Sequence, residues 1–356
     1  MKKLIIGIVS LFIVINAAMI AVTYFEKHEG LSAKGSQQKR VATPATAQAK
    51  ADQAKAGKEG QNPFLALVDA TTPYLFANLN KAEARARADI DQLFQTIQNR
   101  DNNTPGQNAK ADMQKINIKA LLADLAKAEV IADNPFYVVH GVGLWPFMHL
   151  ELTDEQGFKT WLANYARENN LTYQTRQIDG KEFYWVPGNE PEQTKDGQIK
   201  GGMAIYAQAN RLSMTLVPDR ERFFKRLVAS SRPDAAYGAE RFKAFNTKSG
   251  FVGVNSGFVD WQRVTALVQA DTNGIFAHLF GGKNTAQACA QEYGVLAQYL
   301  PRLTTGFTQI NNRQINMAVR QEIAQPWAGF AAAAARSGMT HSKSLKGALS
   351  VGLSMD

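Results

Sequence analysis

The chain has 356 residues, which is enough for one large or two medium-sized domains with a substantial hydrophobic core. Its formal charge is +9; Lys2 and Lys3 carry +2 and residues 26–62 carry +3, which leaves only +4 for the rest of the chain. Nucleic-acid-binding proteins need a concentrated basic face, which this dispersed charge does not predict. The single cysteine, Cys289, excludes an intramolecular disulfide and a cysteine zinc cluster, and its helical surroundings predict a buried, inert thiol.

Residues 1–25 are predicted to form a membrane anchor. After a short basic start, residues 4–25 are almost entirely apolar, and about 20 apolar residues span a bilayer. Cleaved signal peptides have a shorter apolar core of about 7–15 residues and a small-residue cleavage site. We therefore expect an uncleaved signal anchor, with a cleaved signal as the alternative.

The basic start also predicts how the anchor is oriented. It places the bulk of the chain outside the inner membrane, in the periplasm of a cell with two membranes. Lys27 and Lys34, just after the apolar run, favour the opposite orientation. We expect a single-pass inner-membrane protein with its bulk in the periplasm, because the start resembles an export signal.

Residues 26–62 are predicted to form a flexible tether. They are rich in Ala, Lys, Gln and Gly and nearly free of bulky apolar residues, so they cannot bury a core. A flexible coil of this length has a mean reach of roughly 30–35 Å, from about 5–6 Å times the square root of the residue number. Its basic excess is interpreted as solubilising, or as a weak attraction to anionic lipid head groups.

Residues 63–132 are predicted to be helical. In residues 64–100 the apolar side chains recur mostly at helical spacing, and Pro73 is expected to kink or divide the helix. A second apolar stripe occupies residues 113–132, and the polar stretch between the two predicts a loop. We interpret the segment either as a small N-terminal subdomain or as an outer layer of the main domain.

Residues 133–356 are predicted to form an antiparallel α+β domain. Asp179-Gly180 and Asn210 separate alternating apolar and polar runs, and these residues tolerate the positive φ of hairpin turns. A further hairpin is predicted near Asn312. The hairpins imply a mainly antiparallel sheet, and we expect the helices to pack on one face of it.

Three strand-like runs change to a helical pattern at an aspartate, namely Asp154, Asp219 and Asp260. An aspartate at a helix N-terminus accepts the first free backbone N–H groups, so Asp154 and Asp219 are predicted to be structural caps. Residues 349–355 also alternate like a strand, but they end at Asp356 with no helix after it. This pattern predicts a domain truncated at its C-terminus, with a peripheral or poorly covered final strand.

The sequence predicts no catalytic residue, no cofactor-binding residue and no metal ligand. His149 and Glu151 share one face of a predicted strand and form a candidate acid–base pair, although a solvated sheet face explains them more simply. His140, His278 and His341 lack the spacing of metal ligands. Nucleotide-binding and serine-hydrolase motifs are also lacking.

The tryptophans raise the alternative of an apolar ligand groove. They are Trp145, Trp161, Trp185, Trp261 and Trp327. Large aromatic side chains are more often part of the core. Trp161 and Trp261 lie near the starts of predicted helices, where packing against the sheet explains them.

Two stretches resemble known proteins. The run NPFYVVHGVGLWPFMHLELTDEQGFKTWLANYA with the following TRQIDGKEFYWVP, and the later CAQEYGVLAQYLPRLTTGF, resemble uncharacterised membrane-anchored envelope proteins of Gram-negative bacteria. The resemblance covers residues 134–356. It implies an envelope location and no catalytic residues.

These features predict a non-enzymatic envelope protein, anchored in the inner membrane by residues 4–25, that binds a protein partner or an apolar ligand outside the cytoplasm. Neither a cofactor nor nucleic acid is expected. One alternative is a lipid carrier or lipid-sensing module, and another is a hydrolase of envelope substrates with an unrecognised site. A cavity lined by Trp and Phe favours the carrier, a buried polar cluster in a cleft favours the hydrolase, and a well-packed sheet with one exposed apolar patch favours partner binding.

Overall fold

The computed structural model describes residues 62–81, 124–132, 134–188, 201–230, 236–270, 283–311 and 314–324. The strands are β1 (Tyr74–Ala77), β2 (Tyr137–Val142), β3 (Trp145–Glu151), β4 (Gln174–Ile178), β5 (Lys181–Pro187), β6 (Gly201–Gln208), β7 (Arg211–Pro218), β8 (Ser256–Asp260), β9 (Arg302–Asn311) and β10 (Gln314–Gln321). The helices are a 3-10 helix (Pro63–Leu67), α1 (Glu155–Glu168), α2 (Glu221–Val228), α3 (Ala239–Ser249), α4 (Trp261–Gln269) and α5 (Lys283–Tyr299).

The strands of this part of the chain form one sheet of ten strands in the order β10-β9-β8-β1-β2-β3-β7-β6-β5-β4. Every neighbouring pair is antiparallel. The mainly antiparallel α+β architecture predicted from the hairpins is therefore confirmed. Strands β4 and β10 are the two edges of the sheet, as far as the described residues extend.

The predicted hairpin turns are also present. Asp179 and Gly180 join β4 to β5 with φ values of 50° and 72°, and Ala209 and Asn210 join β6 to β7 with φ values of 53° and 60°. Two successive residues with positive φ make a type I′-like turn, whose twist matches that of the flanking strands. Strands β9 and β10 also pair as a hairpin, as predicted near Asn312.

The helical prediction for residues 64–100 is wrong at β1. Tyr74–Ala77 is a strand, and it pairs with β2 on one side and β8 on the other. Between residue 62, where the description begins, and β1, only the five residues of the 3-10 helix are helical. The Asn62 side chain caps this short helix by accepting the N–H of Phe64 at 3.0 Å. The segment predicted to be helical therefore supplies a central strand of the sheet.

Helices cover both faces of the sheet, whereas we expected them on one face only. Successive residues of a strand point to opposite faces. On the first face, α1 and α4 pack against a core that includes Phe76 and Met148. On the second face, the 3-10 helix and α3 cover the side of β1 and β8 that includes Leu75, and α2 covers β5, β6 and β7.

The three aspartates at strand–helix junctions have different roles. Asp260 caps α4, because its carboxylate accepts the N–H of Arg263 at 3.1 Å. Asp154 occupies the N-cap position of α1, but its side chain makes no capping hydrogen bond. Asp219 is not a cap at all, since Arg220 occupies the N-cap position of α2. The capping prediction is therefore wrong for Asp219.

Several predictions concern parts of the chain outside the described residues. They are the membrane anchor, the tether as far as residue 61, the helices and loop predicted for residues 82–123, and the final strand at residues 349–355. The buried thiol predicted for Cys289 also falls on a side chain that the structure does not describe. Among the residues that are described, no helix combines the length and the apolar character needed to cross a bilayer.

Candidate functional site

A line of polar side chains crosses the middle of the second face. It consists of His140 on β2, His149 on β3 and Ser213 on β7. Strand pairing places His149 directly opposite Ser213. His140 is directly opposite Phe147 and is therefore the diagonal neighbour of His149 across β2 and β3. We call these three residues the histidine line.

The histidine line is connected by two short contacts. The Nε2 atoms of His140 and His149 lie 3.1 Å apart, and Nδ1 of His149 lies 2.8 Å from Oγ of Ser213. Two neutral imidazoles make such a contact only when one nitrogen donates its hydrogen and the other accepts it. A hydrogen-bonded Ser–His contact is also the starting arrangement of many nucleophilic enzymes.

Burial argues against a catalytic role for this line. His140, His149 and Ser213 are at most 2% exposed, and the ring of Phe64 from the 3-10 helix lies 6.4 Å from the His149 ring. Burial, followed by the charges of His140 and Arg211, lowers the pKa of His149 well below its usual value. His149 is therefore an uncharged polar side chain inside the core, and the buried Ser213 is not accessible to a substrate in the described structure.

Glu151, the other half of the candidate acid–base pair, points to the same face but has other partners. One carboxylate oxygen accepts the N–H of Phe136 at 3.0 Å and lies 2.6 Å from Nζ of Lys81. His149 faces Ser213 instead. The simpler expectation of a solvated face is wrong for His149, because remote segments of the chain cover it.

An open groove of about 490 Å³ lies beside the edge strand β4. Its lining includes the polar side chains of Arg176, Asp179, Asp219 and Glu221 and the rings of Phe183 and Phe224. The Arg176 guanidinium already binds Asp219 and stacks on the Phe224 ring at 5.8 Å. This groove is not the Trp- and Phe-lined cavity that a lipid carrier predicts.

The tryptophans of the described residues belong to the core or its margin. Trp185 is buried on the second face, and Trp145 packs edge-on against Phe223 of α2. Trp161 and Trp261 are half-buried against the first-face core, as predicted from their positions near helix starts. Trp327, His278 and His341 lie outside the described residues. No group of three or more metal-ligand side chains occurs in the part of the chain that the structure describes.

An exposed apolar stripe runs along the C-terminal half of α5. Val295, Leu296 and Tyr299 are 55%, 46% and 37% exposed, and they are spaced as neighbours on one side of a helix. Ala297, on another side, is buried. We call Val295, Leu296 and Tyr299 the α5 stripe. Its apolar residues are visible in the sequence of a predicted helix, but periodicity alone does not tell which of them stay exposed.

Comparisons with protein-family models, curated proteins and solved structures found no match to this chain. The chemistry of its own residues is therefore the basis for inferring its function.

Proposed function

We propose that this protein is a non-enzymatic, inner-membrane-anchored envelope protein whose folded domain binds a protein partner outside the cytoplasm through the α5 stripe. The observation that supports the proposal is the exposure of Val295 and Leu296 on a domain whose sheet is covered on both faces. Exposed apolar patches of this kind mark interaction sites more often than isolated apolar residues do.

The chemistry of the stripe specifies the kind of partner. Val295 and Leu296 are flanked on the same helix by the exposed polar side chains of Gln291, Glu292 and Gln298. A partner helix with a narrow apolar stripe and polar borders fits this surface, with its apolar side chains packing between those of α5. Because Glu292 lies on the border, we expect a basic residue at the matching position of the partner.

The alternatives have less support from the described residues. A hydrolase requires an accessible nucleophile, and Ser213 is fully buried. A lipid carrier requires an apolar cavity, and the groove beside β4 has polar walls. The membrane anchor and the periplasmic address rest on the sequence of residues 1–25 and belong to the same proposal.

Site-specific photo-crosslinking in intact envelopes tests the docking surface. A photoreactive residue at position 296 is compared with one at position 298, which is exposed on the same helix but lies outside the stripe. We expect a crosslink to a separate polypeptide from position 296 only, and its loss when Val295 is replaced by Asn. The crosslinked segment of that polypeptide should carry an apolar helical stripe.

Two other results would contradict this docking proposal. The N–H of Ala324 binds the carbonyl of Tyr299 at 2.8 Å, so the chain leaves the described residues close to the stripe. A crosslink within the same chain, to residues 325–356, would mean that the protein covers its own stripe. A crosslink to lipid alone would favour the lipid-sensing alternative.

The proposed location of the domain in the periplasm needs a separate test. A C-terminal reporter that is active only outside the cytoplasm should be active in the fusion protein. Activity of a cytoplasmic reporter alone would refute the predicted orientation, and a soluble chain that starts near Glu26 would show that the signal is cleaved.

A further inference from the structure

Three arginines from different elements lie around one tyrosine near the end of β8. Arg241 comes from α3, Arg263 from α4 and Arg302 from β9, and Tyr237 directly precedes α3. Burial raises the pKa of the Tyr237 hydroxyl, and the positive charges of all three arginines oppose that rise. We call Arg241, Arg263 and Arg302 the arginine cluster.

The cluster shares a single carboxylate. Oδ2 of Asp260 lies 3.5 Å from Nε of Arg263 and 3.2 Å from Nη2 of Arg302. Oδ1 of Asp260 accepts the backbone N–H of Arg263 at 3.1 Å in its capping role. Two guanidinium groups therefore share one carboxylate oxygen, and the third, that of Arg241, is stabilised differently.

Aromatic rings pack against two of the three guanidinium groups. The Arg241 guanidinium lies over the Tyr237 ring at 4.6 Å, and that of Arg302 lies over the Phe258 ring at 5.1 Å. The two rings are themselves in contact, with centroids 5.8 Å apart.

Backbone contacts fix the third arginine. Nη1 of Arg263 donates to the carbonyls of Ala70 and Thr72 at 3.1 and 3.0 Å. The guanidinium groups are therefore preorganised, which lowers the entropic cost of binding a ligand. The side chains of Arg263 and Arg302 remain about one-third exposed and Arg241 is exposed, so the cluster is open to solvent.

One donor of the cluster is left unused. Nε of Arg302 is buried and has no hydrogen-bond partner within the described structure. Buried polar groups are nearly always hydrogen-bonded, so a donor without an acceptor requires an explanation, and a bound ion is one such explanation. An anion seated among the three arginines would supply that acceptor.

The charge of the cluster specifies the anion. The cluster holds three guanidinium cations, two of which share the Asp260 carboxylate, and this leaves a surplus of about two positive charges. A phosphate monoester carries about −1.5 to −2 at neutral pH and has three acceptor oxygens, and guanidinium groups match its geometry. We propose that the arginine cluster is a binding site for a phosphate monoester group, carried either by a soluble metabolite or by a lipid head group.

Nearby carboxylates reduce the surplus positive charge of the arginine cluster without cancelling it. Asp69 lies 3.7 Å from Arg226, which is buried close by and is not part of the cluster. Glu240 precedes Arg241 in α3 and is exposed. A negative charge beside Arg241 should weaken anion binding, so Glu240→Gln is expected to strengthen it.

Thermal unfolding and phosphorus NMR of the full chain in nonionic detergent micelles test the proposal. Inorganic phosphate is titrated at constant ionic strength against chloride. We expect a saturable rise in melting temperature and saturable broadening of the phosphate resonance. Arg241→Gln should weaken binding about tenfold, which corresponds to the loss of one charge-assisted hydrogen bond. Arg241 is chosen because it is exposed, so its replacement leaves Asp260 and its partners intact.

Arg222→Gln is the matched control. Arg222 is also exposed and stacks on an aromatic ring, at 4.7 Å from Phe223, but it lies on α2 outside the cluster. It should bind phosphate as the parent chain does. If phosphate acts no differently from chloride, or if Arg241→Gln and Arg222→Gln respond alike, the effect is general screening and the proposal is wrong.

A lipid arm of the experiment distinguishes the two sources of the phosphate. The same micelles are doped with phosphatidic acid, which is a phosphate monoester, or with phosphatidylglycerol, which is a diester. A response to phosphatidic acid that depends on Arg241 and exceeds the response to inorganic phosphate assigns the site to a lipid head group. Equal binding of the free ion and the lipid assigns it to soluble phosphate esters, and a response to the two lipids that does not depend on Arg241 overturns the proposal.

Discussion

Arg176 on the edge strand β4 binds both carboxylate oxygens of Asp219. Nη1 lies 2.7 Å from Oδ1, and Nη2 lies 3.1 Å from Oδ2. The guanidinium also stacks over the Trp185 ring at 5.3 Å. The contact therefore joins the outermost strand of the described sheet to the junction between β7 and α2, and it explains why Asp219 does not cap that helix.

The two-point geometry at Asp219 predicts an unusual response to substitution. Asn caps helices about as well as Asp, but it cannot offer two anionic oxygens to a guanidinium. We expect Asp219→Asn and Asp219→Ala to lower the free energy of unfolding by similar amounts, about 0.5–1 kcal/mol for a pair that is one-third exposed. Urea denaturation measures both. A near-neutral Asn variant beside a costly Ala variant would show that the residue acts as a cap after all.

The position of Asp219 illustrates what sequence patterns predict well and what they do not. The strand–helix junctions follow from local periodicity, and they are found at all three aspartates. The partner of each carboxylate depends on which distant strand lies beside it. Arg176 is 43 residues from Asp219 along the chain, and nothing in the local pattern identifies it.

The dependence on distant residues also explains two wrong predictions about the sheet, namely the helix predicted at β1 and the solvated face predicted for His149. Tyr74–Ala77 is a short apolar run, buried on both sides, and such runs do not distinguish a strand from a buried helix. On the second face, His149 and Ser213 alternate with apolar residues in the manner of a solvated surface. Both side chains are nevertheless buried, and the ring of Phe64 from the 3-10 helix, which is remote in sequence, lies beside His149. Neither the α5 stripe nor the arginine cluster could be predicted, because each depends on packing.

Asp260 should behave differently from Asp219. It caps α4 and also holds Arg302, and it is largely buried. Asp260→Ala should lower the free energy of unfolding by about 2–4 kcal/mol, because it removes a cap and leaves a partly buried arginine without its partner. Asp260→Asn keeps the cap and should cost clearly less. Equal costs in urea denaturation would mean that the cap contributes little.

Gly257 on β8 is required by close packing against β1. It lies opposite Phe76, and a Cβ at this position would collide with the Phe76 ring and the carbonyl of Leu75, both of which are buried. Gly257→Ala should therefore lower the free energy of unfolding by about 1–3 kcal/mol through overpacking. Gly201→Ala is the matched control, since the nearest atom to its Cβ would be 3.7 Å away. Similar melting temperatures for the two variants would contradict the packing of β1 against β8.

The histidine line predicts that stability depends on pH. Burial, and then the charges of His140 and Arg211, lower the pKa of His149 well below its ordinary value. Below about pH 6.5 the unfolded chain binds a proton on this residue and the folded chain does not. The contribution of neutral His149 to stability is therefore fully present above about pH 6.5. As the pH falls below that value, the free energy of unfolding decreases by at most about 1.4 kcal/mol per pH unit for one proton. Urea midpoints measured between about pH 7.5 and 5.5 should show this decrease.

Two variants separate the titration of His149 from its packing. His149→Gln keeps a polar side chain but removes the titratable group, so the slope of stability against pH should become smaller over this range. Ser213→Ala removes the hydroxyl at 2.8 Å from Nδ1 of His149 but leaves the imidazole in place. It should lower the free energy of unfolding at every pH by about 1 kcal/mol and keep the slope. If His149→Gln retains the full slope, another group binds the proton, and the neutral state assigned to His149 would have no role in acid stability.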